Sequence, residues 1–128
     1  MKRFTYRNEN AFSKAIVAAM KAKGMFVQRI ESGLTGKGIP DIYAIQGDTP
    51  VWIELKRVHH DMRHLEVIPW RPGQQAWLNG VSTRKQCAIT LCCFDDCILK
   101  IPHDILYHQD IVDTEYCHVY YSIKELLK

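Results

Sequence analysis

Asp41, Glu54 and Lys56 are the residues whose types and spacing could together do chemistry. Asp41 closes the stretch Gly38-Ile39-Pro40-Asp41, and the other two lie in Trp52-Ile53-Glu54-Leu55-Lys56. Two carboxylates are hard oxygen ligands of the kind magnesium takes, and a magnesium ion held by so few side chains keeps several waters. Such an ion polarises a phosphoryl oxygen and lowers the pKa of bound water, and a neighbouring ammonium can hold the nucleophile or offset developing negative charge. Phosphodiester hydrolysis needs both services. The two stretches read as an acidic metal site with a lysine beside it.

Local structure decides whether these residues can meet. On a strand, alternate side chains point to opposite faces, so Glu54 and Lys56 point one way and Ile53 and Leu55 the other. An apolar face thus backs a charged one. Asp41 opens a second apolar run, Ile42-Tyr43-Ala44-Ile45, and Gln46-Gly47-Asp48-Thr49-Pro50 is rich in turn residues, which predicts a hairpin. A turn centred on Gly47–Asp48 or on Asp48–Thr49 puts Asp41 across from Glu54 or from Lys56. A one-residue slip puts it opposite Leu55 and spoils the site. An exposed Glu-Lys pair is often only a solvated face, and a Pro-Asp turn only a turn. Their joint occurrence on one face of one hairpin is what favours chemistry.

The chain has 128 residues, the size of one ordinary domain with a core of its own. No apolar run is long enough to span a bilayer, and Met-Lys-Arg-Phe-Thr-Tyr at the N-terminus lacks the apolar segment of a secretory signal. A cytoplasmic protein is expected. The net charge of +3 permits an anionic partner without demanding one. Five cysteines, Cys87, Cys92, Cys93, Cys97 and Cys117, are expected to be reduced thiols. Their cluster suggests zinc, but it lacks two separated pairs and falls in the β-rich run Ala88–Phe94, where cysteine behaves as a small hydrophobe.

The remaining elements must position the site. Asn8 or Asn10 can cap a first helix, in which Phe12, Ile16, Val17 and Met20 recur at helical spacing until Gly24 stops it. Glu9 stands in its first turn near the inward stripe, either as a charge favourable to the helix dipole or as a member of the acidic site. Met25 to Glu31 predicts a strand. The loop from Ser32 to Gly38 carries three glycines and Lys37, a composition that lets backbone amides approach a phosphate, although its spacing is not that of a Walker loop. Arg57 to Glu66 is polar and rich in histidine and arginine, and is expected to be a solvated segment suited, if functional, to nucleic-acid phosphates. Lys37, Arg57, Arg63 and Arg71 are the candidate phosphate contacts. A short helix starts with Pro72 in its first turn and faces Trp77, Leu78 and Val81 inward. Ala88–Phe94 and Cys97–Ile101 predict two antiparallel strands about an Asp95-Asp96 turn. The tail holds a weakly periodic stretch from Ile105 to Ile111, a stretch from Tyr116 to Tyr121, and a capped helix from Ser122 to Leu127.

The order helix, strand, hairpin, helix, strands, with the motifs above, resembles the PD-(D/E)xK nuclease superfamily and, within it, the VRR-NUC branch. The resemblance rests on Gly38-Ile39-Pro40-Asp41, Glu54-Leu55-Lys56 and Pro72-Gly73-Gln74, and spans about residues 9 to 101. It implies an α/β, restriction-endonuclease-like core: a central mixed β-sheet flanked by helices in αβββαβ order, forming one VRR-NUC-type domain over residues 1–128. By the same resemblance, Asp41, Glu54 and the Leu55 backbone carbonyl would be metal ligands and Lys56 would orient or activate the attacking water. Glu9 would be the acidic residue borne by the first helix, and Gln74, or its neighbour Gln75, the supporting motif glutamine.

The function so implied is a Mg²⁺-dependent DNA endonuclease, with Mn²⁺ able to substitute. Stand-alone members of the branch resemble Holliday-junction resolvases and act as homodimers, so branched DNA and a dimer are expected. Trp70, Tyr107, Tyr116, Tyr120 and Tyr121 offer aromatic surface for an interface, or fill the core. A viral or mobile-element origin would fit so small a nuclease. The competing readings are a nuclease-fold module that binds DNA without cutting it, and a zinc-stabilised interaction domain.

Overall fold

Asn8 starts the first helix. Its backbone is extended and its side-chain oxygen accepts from the Ala11 amide at 2.8 Å, which satisfies one of the donors a helix leaves orphaned in its first turn. The resulting helix, α1 (Glu9–Ala22), buries Phe12, Ser13, Ile16 and Met20, and Gly24 follows with φ 79, a conformation that costs little only without a Cβ. The structure, a computed structural model, describes residues 6–30, 39–64, 68–82, 84, 87–103 and 117–128.

Six strands form one sheet among these residues, in the order β1 (Phe26–Arg29), β2 (Ile42–Gln46), β3 (Thr49–Arg57), β4 (Cys87–Cys93), β5 (Ile98–Pro102) and β6 (His118–Tyr120). Neighbours are antiparallel except β3 and β4, which run parallel. A parallel pair cannot be closed by a tight turn. The connection carries a 3₁₀ turn at Met62–His64 and α2 (Gln74–Ser82). A short α3 (Ile123–Leu126), capped by Ser122 accepting from the Glu125 amide at 3.0 Å, ends the chain. The α/β class, the mixed sheet with flanking helices and the αβββαβ core order are as expected.

The β2–β3 hairpin takes the first of the two registers that keep the acids together. Gln46 pairs with Thr49 and Ile42 with Ile53, so Gly47–Asp48 is the turn and Asp41 falls across from Glu54. Gly47 at φ 60 supplies the backbone that two-residue turns require.

The expectation of one apolar face backing a charged one needs correction. Ile42, Ala44, Ile53, Leu55, Ile89, Leu91 and Cys93 pack with α1 and Ile123 on one side. The side carrying Glu54 and Lys56 is covered too, by a second cluster of Ile68, Trp70, Cys92, Phe94, Cys97, Leu99 and Ile101. Central strands flanked on both faces are buried on both. Glu54 is 0% exposed and Lys56 5%.

Other boundaries shift. β1 stops at Arg29, and Glu31 lies outside the described residues. Pro72 and Gly73 form a turn before α2 rather than its first turn. The segment after Lys56 is docked rather than solvated: the Met62 amide donates to Asp96 Oδ1 at 3.0 Å, the Asp95 amide to the His60 carbonyl at 3.1 Å, and the His60 ring lies 5.8 Å from that of Phe94. Of the aromatic candidates, Trp70 fills the second core and Tyr121 is 63% exposed. Tyr120 packs partly against the first core, and Tyr107, Tyr116 and the Ile105–Ile111 stretch lie outside the described residues. Among the described residues, no helix is long and apolar enough to cross a membrane.

A buried polar chain ties the second core together. Trp70 Nε1 donates to Thr90 Oγ1 at 3.0 Å, Thr90 Oγ1 lies 2.7 Å from His103 Nε2, and His103 Nδ1 lies 3.1 Å from Asn79 Oδ1. Those contacts are mutually consistent with a neutral imidazole protonated at Nδ1, so that Thr90 donates to Nε2 and Nδ1 donates to Asn79. Burial pushes the His103 pKa down from 6.5 to about 4. The unfolded chain therefore binds a proton between those values that the folded chain refuses, and stability is lost as pH falls through that window. The His103 contribution should fall by about 2 kcal/mol between pH 7 and pH 5. Denaturant titrations at both pH values, compared with His103→Gln, check it: the variant should lack that part of the pH slope.

A candidate carboxylate metal site

Asp41 is fixed from both sides. Buried Pro40 leads the chain in; the Asp41 carbonyl accepts from the Ile30 amide at 2.8 Å, and its Oδ2 accepts from the Leu55 amide at 2.9 Å. The carboxylate thus acts as an acceptor to β3 where the hairpin ends. Glu54 stands opposite in the middle of β3, and Glu9 arrives on the first residue of α1. Ligand oxygens of Glu9, Asp41 and Glu54 all lie within 4.8 Å of one another, the only such group of acidic, histidine or cysteine side chains among the described residues. Glu9 is partly exposed and Glu54 fully enclosed. The cleft that opens here is lined by Glu9, Asn10, Ser13, Arg29, Ile30, Asp41 and Leu55.

Three carboxylates this close repel one another unless a positive charge or a proton intervenes. Burial first, and Asp41 second, push the Glu54 pKa up to about 9, while Lys56 acts in the opposite sense. Glu9 is raised for the same two reasons, with Lys56 and Arg71 opposing. Both Glu54 carboxylate oxygens are buried without a hydrogen-bond partner among the described residues. The approach of Asp41 becomes a hydrogen bond only when the pair carries a proton; with both acids ionised, two buried acceptors are orphaned, at a cost of roughly 1–3 kcal/mol or more. A hard divalent cation would satisfy them. The all-oxygen donor set fits magnesium or manganese and not the sulfur and nitrogen set of a zinc site.

Lys56 lies two residues beyond Glu54 on the same face, 5% exposed, and its charge acts on both Glu54 and Glu9. Gln74 is buried, with Oε1 accepting from the Arg71 amide at 2.7 Å, whereas Gln75 is only half-buried. Gln74 thereby fixes the entry to α2, and Arg71 is exposed close enough to act on Glu9. Arg63 is exposed, with Asp61 at 3.5 Å, and Lys37 lies outside the described residues.

Arg57 requires correction. Its side chain is 3% exposed and pairs with Asp95 at 2.7 Å; Nε donates to the Tyr6 carbonyl at 2.6 Å, and Nη1 to the carbonyls of Val58 and Cys93. A guanidinium so enclosed offers no face to a phosphate. Among the cysteines, Cys92, Cys93 and Cys97 are buried and free, and burial holds Cys92 and Cys93 well above the usual thiol range. Sequence reasoning passed over Arg29, whose Nη2 donates to Asn10 Oδ1 at 3.3 Å on the rim of the acidic cleft. Its place at the end of the strand before the loop leading to Asp41 was the signal available.

No family model and no curated protein matches the chain. Among solved structures it is similar to Hjc, a Holliday junction resolvase from the archaeal hyperthermophile Archaeoglobus fulgidus, with 16% identity and a TM-score of 0.59 over 80% of this chain and 83% of that one. At this identity the likeness establishes the fold alone.

Proposed function

We propose that this chain is a divalent-metal-dependent DNA endonuclease of the VRR-NUC branch, formed as one domain over residues 1–128, acting as a homodimer on branched DNA. The observation that carries this reading is the enclosed Glu54 carboxylate, both of whose oxygens are orphaned and one of which lies within 4.8 Å of an Asp41 and a Glu9 oxygen, with Lys56 on the same face. The Gly38–Asp41, Glu54–Lys56 and Pro72–Gln74 motifs support the branch, and the likeness to a Holliday junction resolvase supports the substrate.

Asp41, Glu54 and the Leu55 carbonyl would hold Mg²⁺, or Mn²⁺ in its place, with Glu9 closing the acidic side. When bound, that ion polarises the scissile phosphate and lowers the pKa of attacking water. Lys56 orients the water and offsets negative charge as it builds on phosphorus. Gln74 holds the α2 entry beside Arg71, and Arg63, Arg71 and Lys37 meet neighbouring phosphates. A cytoplasmic location would suit a DNA substrate.

Incubation with four-way-junction and linear duplex DNA tests the reading. Junction cleavage is expected with Mg²⁺ or Mn²⁺, and none with chelator or in Asp41→Asn. Tight binding without cleavage under any metal would make the protein a binding module instead, and undiminished cleavage by Asp41→Asn would remove the site assignment.

A further inference from the structure

We infer that Arg57 is a positioning residue that fixes where Glu9 meets the other two carboxylates; this rests on the metal-site reading above. Arg57 ends β3, one residue beyond Lys56. Its guanidinium gathers three separate pieces of chain: the Tyr6 carbonyl ahead of α1, the Cys93 carbonyl at the end of β4, and the Asp95 carboxylate in the following turn. The Val58 amide bonds to that same Cys93 carbonyl at 2.9 Å, so the ends of the two parallel strands are closed together.

The Tyr6 contact is the one with consequences for the site. Tyr6 precedes Glu9 by three residues, its ring packs on Phe12 at 5.5 Å, and Asn8 between them caps the helix. With Tyr6 anchored to β3 and the helix start fixed by Asn8, the Glu9 carboxylate has little freedom to leave Asp41 and Glu54, although their charges repel. A planar fork that donates in several directions at once does this; an ammonium, a point donor on a flexible stem, does not. Residues that orient metal ligands typically change metal affinity 10–100-fold when removed.

Calorimetric Mn²⁺ titration of the full chain, with thermal melts alongside, tests the inference. Arg57→Lys, which keeps the charge and loses the fork, should weaken Mn²⁺ binding roughly tenfold. In a Glu9→Gln background the same substitution should change affinity less than about twofold, because what it positions is gone. Asp95→Asn, which removes the ion pair and keeps the shape, should show a smaller loss with the same dependence on Glu9, and stands in if Arg57→Lys does not fold. A loss of equal size with and without Glu9, or no loss, overturns the role for Arg57 while leaving the metal site intact. Absence of Mn²⁺ binding by the unsubstituted protein overturns the metal-site reading itself.

Discussion

Glu54→Gln is expected to raise the thermal midpoint of the metal-free protein by roughly 5–10 °C and to reduce DNA cleavage on the order of a thousandfold or more. Both effects come from the same buried carboxylate. The folded chain holds the Glu54 pKa up from 4.5 to about 9, so between those values it binds a proton that the unfolded chain has released. Its contribution to stability is full below pH 4.5 and is lost as pH rises toward about 9. Near neutrality the native state bears the cost of taking up a proton that the unfolded chain has released. A glutamine of the same shape carries no charge, and its amide can donate to the Asp41 carboxylate. Relief of about 2 kcal/mol is reasonable once that proton no longer has to be taken up, which sets the midpoint shift above. The same change removes a ligand oxygen, so Mg²⁺ should raise the midpoint of the unsubstituted protein and leave that of Glu54→Gln unmoved. Melts with chelator and with Mg²⁺ read both. A clear destabilisation of Glu54→Gln in chelator would show instead that the carboxylate holds the fold together.

Lys56→Met should lose cleavage by roughly 10²–10⁴-fold while keeping its affinity for metal. The ammonium is nearly enclosed, at 5% exposure, and opposes the pKa rise of both Glu54 and Glu9. It therefore stabilises the ionised acids in the absence of metal and competes electrostatically with any cation they bind. Its removal leaves the ligand oxygens in place and takes away one positive charge, so metal affinity stays level or rises slightly. On the proposed mechanism, what is lost is the group that holds water against the phosphate. Single-turnover cleavage and Mn²⁺ titration on the same preparation separate the two roles. If metal affinity collapses together with activity, Lys56 serves only as a counter-ion of the acids.

The motifs and the element order were legible because they rest on local rules. Asn8 and Gly24 bracket α1, the Gln46–Pro50 turn chemistry makes a hairpin, and period-two alternation puts Glu54 and Lys56 on one face. Sequence alone left the turn between two positions, and the Gln46–Thr49 pairing chose the one that sets Asp41 across from Glu54. Burial was not legible. Alternation says which side chains share a face but not whether another element covers it, and here Ile68 and Trp70, from a stretch to which the sequence assigned no helix or strand, close over the face that bears the acids. Arg57 was misjudged for the same reason. An arginine in a polar run looks like a phosphate contact until Asp95, Cys93 and Tyr6, distant in sequence, are seen to converge on it. The chain from Trp70 through Thr90 and His103 to Asn79 has no spacing signature at all, since its four members come from different parts of the fold.

Burial also gives the site its character. A solvated Glu-Lys pair on a strand gains little from either charge, whereas an enclosed one makes each unmet charge costly and each met charge strong. A fold that keeps Glu54 without a donor and brings two more acids to it forgoes stability at that point, as functional sites commonly do.

The most direct measurement is anomalous scattering from crystals soaked in Mn²⁺. A single strong peak coordinated by Asp41 and Glu54 oxygens at about 2.2 Å, with the Leu55 carbonyl in the same shell, is the predicted result. No peak between these carboxylates at saturating Mn²⁺, or a peak at the cysteines or histidines instead, would contradict the proposed site.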